Sequence, residues 1–245
     1  MNTKILGIIP ARYKSTRFPG KPLADICGKS MIQRVYERAK MSKSLFDVII
    51  ATDDERIYNC AKNFGANAIM TDSDLPNGTA RCEQAAKFYN QEIDSVINIQ
   101  GDEPLLDPVM IDEIAELLIN SECSTLCREL NDESEYINPN VVKVVMNLKG
   151  EALYFSRSLI PFMRNKINLP VYQHIGIYGY KINFLRKYVS LPVTPLSEAE
   201  SLEQLKILEH GYKISVKVTS SKSQNVGVDT PEDLQRVRDI INAGN

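Results

Sequence analysis

The sequence predicts an α/β protein with a mostly parallel, doubly wound sheet and a smaller antiparallel section. Three observations carry that expectation. Lys4–Ile9 and Asp47–Ala51 are continuous apolar runs, and Ser95–Gln100 is a third strand-like run, the pattern of strands covered on both faces. Helix-length amphipathic segments separate them, and strand–helix alternation implies parallel strands joined by right-handed crossovers. After about residue 122 the texture changes. Short strand-like runs at Val141–Met146, Leu153–Ser156 and His174–Tyr180 are joined by turns holding Pro139, Pro161 and Pro170, as expected of an antiparallel insertion at about 135–195.

Each element has a local reason. Met31–Met41 reads as a helix with Ile32, Val35, Tyr36 and Ala39 on one face. Thr52-Asp53-Asp54-Glu55 opens a second helix ending before Gly65, its acids in the first turn where they suit the dipole. Ala68–Met70 is a short strand, and a further helix is expected around residue 80. Pro108–Ile119 is a helix with Pro at its start. Glu198–His210 reads as one helix, with Leu202, Leu205 and Leu208 inward and Gly211 closing it. Ile214–Val218 is a strand, and Pro231–Ile241 is a closing helix with acids in its first turn.

The 245 residues suit one domain with an inserted lobe. At 43% hydrophobic and 24% charged, the chain has enough apolar side chain for a core, so disorder is excluded as its main state. A net charge of −2 argues against a general nucleic-acid coat; a polyanion must be held by cations placed locally. No apolar run approaches the ~20 residues of a membrane span, and Met1–Pro10 reads as a buried strand instead of a signal peptide. The five Cys include no CxxC pair and lie far from His174 and His210. Buried free thiols in a reducing cytoplasm are expected, with no zinc site or disulfide framework.

Ligands of such sheets sit outside the carboxyl ends of the strands. After the first strand, Arg12, Lys14, Arg17 and Lys21 crowd one loop with Ser15, Thr16 and Gly20. Backbone N–H groups, hydroxyls and cations together hold polyphosphate. The loop is neither a Walker GxxxxGK[ST] nor a dinucleotide GxGxxG. Gln100-Gly101-Asp102-Glu103-Pro104 follows a buried strand, and an Asp at such a tip suits Mg²⁺. Asp229, just before the N-cap pair Thr230-Pro231, is a second candidate carboxylate.

In order along nearly the whole chain stand PARYKSTRFPGKPL, ATDDERI, NIQGDEP, ALYFSRSLIP, HIGIYGY, ESLEQL and GVDTPEDL. Together they resemble the 3-deoxy-manno-octulosonate (Kdo) cytidylyltransferases. The resemblance implies a Rossmann-like nucleotide-diphospho-sugar transferase fold with a small antiparallel dimerisation lobe. It also implies a cytoplasmic homodimer that makes CMP-Kdo and pyrophosphate from CTP and Kdo with Mg²⁺, for lipopolysaccharide or capsule. Carried over by motif, Arg12, Ser15, Arg17 and Lys21 belong to the triphosphate loop, with Lys21, Arg12 and Asp102 catalytic. Asp102 and Asp229 are the Mg²⁺ carboxylates. Gln100, Arg157, His174, Tyr178, Glu203 and Gln204 form the sugar-acid pocket. Arg157 has no acid within seven positions on its C-terminal side, so its carboxylate partner is expected in the ligand.

One stretch departs from the family pattern. Where the family usually has His-x-Ser-Gly-Thr-Asp-Arg by the nucleotide base, this chain has Leu75-Pro-Asn-Gly-Thr-Ala-Arg81. Asn77, Gly78, Thr79 and Arg81 are the nucleotide-binding candidates here. Either the loop's backbone recognises the base or preference for base or sugar has shifted. The rivals are another acidic sugar, 8-amino-Kdo or a nonulosonate, and a noncatalytic nucleotide- or sugar-binding regulator.

Overall fold

The computed structural model describes residues 3–14, 18–165, 167–223 and 226–244. In chain order the elements are β1 Ile5–Ala11, a 3-10 turn Lys21–Leu23, β2 Asp25–Ile26, β3 Lys29–Ser30, α1 Met31–Ala39, β4 Asp47–Thr52, α2 Glu55–Asn63, β5 Asn67–Met70, α3 Gly78–Phe88 and β6 Ser95–Asn98. The second half adds α4 Pro108–Leu117, β7 Cys123–Glu129, β8 Lys143–Met146, β9 Ala152–Ser156, β10 Tyr172–Lys181, α5 Ile182–Ser190, α6 Pro195–Glu200, α7 Leu205–Glu209, β11 Ser215–Val218 and α8 Pro231–Ala243.

One sheet organises the molecule, in the order β11-β7-β10-β6-β1-β4-β5. The pairs β1–β4, β1–β6, β4–β5 and β7–β11 are parallel, while β10 runs antiparallel to both β6 and β7. The strand period of two divides the core. Leu6, Ile8, Ile49 and Ala51 face one side with α3, α5 and α7; Ile5, Ile9, Val48 and Ile50 face the other with α1, α2 and α4. Close approach fixes the α4 layer. A Cβ on Gly179 would lie 2.5 Å from Ile114 Cγ2 and 2.8 Å from Leu118 Cδ1, so only glycine fits beneath the helix.

The antiparallel stretch is continuous with this sheet. β8 pairs with β9 and with the start of β10, while β10 goes on as a central strand. One local expectation is corrected, and two elements were not expected. Helix 198–210 is two helices: α6 ends at Glu200, Ser201 turns left-handed (φ 50, ψ 48), and α7 begins at Leu205. Leu202, within that break, and Leu205, at the start of α7, are both buried, so their spacing fits both readings. β7 and α5 carry no strong sequence signal and are nevertheless regular. Ser124 and Thr125 are fully buried in β7 with hydroxyls on main-chain carbonyls, which is why the strand does not read as apolar. The five cysteines are free thiols.

Candidate active site

β1 and β6 are parallel neighbours, with Ile8 opposite Asn98, so the loops that follow them leave the same edge. Gly101 makes this possible: a Cβ there would come 2.9 Å from the Pro10 carbonyl oxygen. Asp102 is thereby set beside the end of β1. The loop after β1 returns to the same place. Gly20, left-handed at φ 73, donates its N–H to the Tyr13 carbonyl at 2.9 Å and starts the 3-10 turn that carries Lys21.

Lys21 Nζ donates to Asp102 Oδ2 at 2.8 Å and to Asp229 Oδ1 at 3.1 Å. The ammonium side chain is 14% exposed and the two carboxylates 34% and 45%. Residues 102 and 229 are held together through the backbone, since Val228 N–H donates to the Asp102 carbonyl at 2.9 Å. Immediately after, Thr230 and Asp233 form a capping box with Pro231 in the first turn of α8. The cap fixes the chain, and Asp229 reaches Lys21 from it.

The cleft around these groups holds about 360 Å³, with Arg12, Lys21, Gln100, Asp102, Glu203 and Asp229 in its wall. The start of α3 closes one side with Asn77, Gly78 and Arg81. Asn77 caps that helix, its Oδ1 accepting from Ala80 N–H at 2.8 Å. Arg81 is only 4% exposed and is bound by the Thr71 hydroxyl and by Asp53, 3.4 Å away. Its charge is therefore largely matched within the protein, whereas Arg12 is exposed at the cleft mouth. Thr79 is buried, and burial raises the Glu203 carboxyl while Lys206, Asn77 and Thr79 hold it down. Glu103, behind Asp102, is pushed up to about 7 by burial and by the Asp102 charge.

Opposite α3, a β-bulge interrupts the β10–β7 register between Ile175 and Tyr178. It turns the Gly176 carbonyl to Gln100, whose Nε2 donates to it at 2.8 Å. Bulges re-aim side chains beside functional sites, and this one anchors Gln100 next to Asp102. A larger hollow of about 550 Å³ under α8 contains Arg34 and Arg38. Both guanidinium groups are bound to main-chain carbonyls, of Ile26 and Leu106 respectively, so the cleft at the strand ends is the better-equipped site.

The cytidylyltransferase family profile matches residues 6–214. A 3-deoxy-manno-octulosonate cytidylyltransferase of Solibacter usitatus is 49% identical over 247 residues, 99% of this chain and 96% of the relative. The chain belongs to the 3-deoxy-manno-octulosonate cytidylyltransferase family. An 8-amino-3,8-dideoxy-manno-octulosonate cytidylyltransferase of Shewanella halifaxensis is 47% identical, covering 96% of each chain. A solved CMP:2-keto-3-deoxy-manno-octonic acid synthetase in complex with CTP superposes with a TM-score of 0.93 at 40% identity, over 99% of this chain and 100% of that one.

Set against the family's motif, the structure brings Arg12, Lys21, Asn77, Gly78, Arg81, Gln100, Asp102, Glu203 and Asp229 into one cleft. Ser15 and Arg17 lie outside the described residues. Gln204 is buried next to Glu203. His174 and Tyr178 are not in the cleft wall; their rings meet at a tilt on β10, centroids 5.3 Å apart, with Phe155 edge-on to the imidazole. Burial pushes the Tyr178 phenol well up, so its hydroxyl stays neutral. Arg157 is also absent from the wall. Its guanidinium donates to the carbonyls of Glu200 at 2.7 Å, Pro139 at 2.9 Å and Ser201 at 3.4 Å. Sequence reading missed Glu200, because the pair is 43 residues apart and only folding brings it together.

His174 gives a pH-dependent test of the fold. The Thr125 hydroxyl donates to the Ile177 carbonyl at 2.8 Å, so its oxygen accepts from His174 Nε2–H at 3.0 Å. Burial lowers the imidazole to about 3. The unfolded chain, with His near 6.5, binds the extra proton between those values, so this contribution to stability is lost as pH falls through that window. Wild type should lose about 2 kcal/mol more than His174→Gln between pH 7 and pH 5. Urea unfolding of both proteins at the two pH values measures it, and equal losses would place the proton elsewhere.

Proposed function

We propose that the protein joins CTP to the anomeric 2-hydroxyl of Kdo, releasing pyrophosphate and CMP-Kdo. The observation that carries this reading is the convergence of Lys21 on Asp102 and Asp229 within hydrogen-bond distance at the strand ends. The family membership supplies the substrate class. The sugar hydroxyl oxygen attacks the α-phosphorus, the bond to the bridging oxygen breaks in line, and the hydroxyl proton leaves to solvent. Arg12 and Lys21 offset the charge growing on the departing pyrophosphate. Gln100 and Glu203 face the sugar as hydrogen-bonding groups, with Gln204 behind them. Asn77, Gly78 and Arg81 line the end of the cleft assigned to the nucleotide, with Thr79 buried in the same turn, and Asn77 and Ala80 replace the usual Ser and Asp.

The two carboxylates also fit Mg²⁺. They are hard oxygen donors turned toward one cationic point, now filled by the Lys21 ammonium, and Mg²⁺ commonly takes one or two carboxylates plus phosphate oxygens. When bound, the ion supplies charge neutralisation and a more acidic sugar hydroxyl. No helix among the described residues is long and apolar enough to cross a membrane. The proposal includes a cytoplasmic place and a product used for lipopolysaccharide or capsule.

A pyrophosphate-release assay with CTP or UTP, and with Kdo or 8-amino-Kdo, tests the reading. The expected result is release with CTP and Kdo, at least about tenfold slower with UTP. No release with either sugar would remove the assignment; a preference for 8-amino-Kdo would move it to that branch of the family. Homodimerisation is part of the same proposal. Phe162 at 87% and Ile167 at 65% exposure sit in the connection from β9 to β10, and Leu153 in β9 is 60% exposed; exposed apolar side chains of this kind suit a symmetric contact. Light scattering should give twice the chain mass, and Phe162→Asp should shift it toward the monomer. A monomeric wild type at micromolar concentration would contradict the assembly.

A further inference from the structure

Glu200 is half-buried at the end of α6, and its carboxylate is fully engaged by the end of β9. Ser156 Oγ donates to Glu200 Oε1 at 2.6 Å, and Arg157 N–H donates to Oε2 at 2.9 Å. Arg157 returns the contact: its guanidinium holds the carbonyls of Glu200 and Ser201 and reaches Pro139 on the far side. From beneath, the enclosed ammonium of Lys143 donates to the Arg157 carbonyl at 2.5 Å. Burial raises Glu200 less than these donors and the Arg157 charge lower it, so it is a carboxylate at neutral pH.

The next residue, Ser201, is a non-glycine in the left-handed region at φ 50. That conformation is uncommon for side-chain-bearing residues and persists where its surroundings over-determine it. Two residues later Glu203 enters the cleft wall. An unbroken helix through 198–210 would keep residue 203 in the helical register of residue 200 and rotate it away from its present place. The break aims Glu203, and the β9 contacts hold the break.

We infer that Glu200 and Arg157 are positioning residues, a reciprocal clamp that fixes the left-handed turn at Ser201 and so directs Glu203 to the sugar. The inference rests on the proposed function for Glu203's ligand, but the clamp itself does not. The clamp's chemistry is specific: two donors on one carboxylate, and a planar cation on adjacent carbonyls. A neutral amide at position 200 retains one acceptor, and an alanine retains none.

The test uses the full-length protein. Glu200→Ala should speed backbone amide exchange at residues 201–205 at least about tenfold while leaving α5 unchanged. It should raise KM for Kdo roughly thirtyfold with KM for CTP within about threefold, and Glu200→Gln should recover most of that loss. In a Glu203→Gln background, Glu200→Ala should add less than about threefold, because both act through one group. Unchanged exchange overturns the clamp, and so do multiplicative effects in the double variant, which would put Glu200 on the substrate itself. If Glu200→Ala does not fold, Arg157→Lys takes its place with the same expected and overturning results. A wild type inert toward CTP with both sugars would overturn the functional reading, while amide exchange would still decide the clamp.

Discussion

Asp102→Asn and Asp229→Asn should each lower turnover at least about a hundredfold, the range seen when one preorganised charge contact to a phosphoryl centre is lost. Two carboxylates face a single ammonium, at 2.8 and 3.1 Å from Lys21 Nζ, so the trio carries a net negative charge that suits a divalent ion with a triphosphate. Either amide neutralises that excess and leaves Lys21 balanced by one carboxylate. The fold should feel little of this. Both aspartates are partly exposed, Lys21 keeps one partner, and the contact from Val228 to Asp102 uses backbone atoms only. Melting temperatures should therefore stay close to wild type while pyrophosphate release falls. Mn²⁺ titration in the absence of nucleotide gives a separate readout, expected to weaken at least about tenfold. Near-normal turnover in either variant at saturating Mg²⁺ would remove that residue from the metal assignment.

What is legible in the sequence follows from where the physics is local. β1, β4 and β6 are buried on both faces, so their apolar runs announce them, and the loops after β1 and β6 are the chemical ones because parallel strands end on one edge. Arg12, Lys21 and Asp102 fall in those loops by sequence position alone. Asp229 is separable from its neighbour because capping explains Thr230 and leaves the residue before it unexplained. The illegible parts depend on contacts distant in sequence. β7 hides two buried hydroxyl residues whose acceptors are carbonyls on α4 and β10. The break at Ser201 has no glycine or proline to mark it. Its cause is a carboxylate fixed by β9, 43 residues earlier. Arg157 reads as unpartnered for the same reason. A window of seven residues holds no acid, while the fold supplies Glu200 and three carbonyls.

Lys143→Met should cost roughly 2–4 kcal/mol, as expected when a buried donor leaves several acceptors orphaned. Lys143 has no exposed surface, and its ammonium donates to the carbonyls of Val141 at 2.6 Å, Arg157 at 2.5 Å and Asn138 at 3.0 Å. Three protons meet three acceptors, which lets a cation occupy the interior without a directly bound carboxylate. Burial lowers its pKa, opposed by the nearby Glu200 charge. Methionine matches the length and removes the cost of enclosing a charge, which keeps the expected loss moderate. It supplies no donor, however: the Asn138 carbonyl keeps the Val141 N–H at 3.1 Å, while the Val141 and Arg157 carbonyls lose the ammonium. For a chain of this size the loss corresponds to a melting temperature lower by roughly 5–15 °C. Lys149→Met, at an exposed position on the same hairpin, should leave it unchanged. Because one acceptor is the Arg157 carbonyl, the destabilised variant should also open the α6–α7 junction, seen as faster amide exchange at residues 201–205. A melting temperature equal to wild type would mean that water or a neighbouring donor replaces the ammonium, and that the contacts of Lys143 add nothing net to the fold.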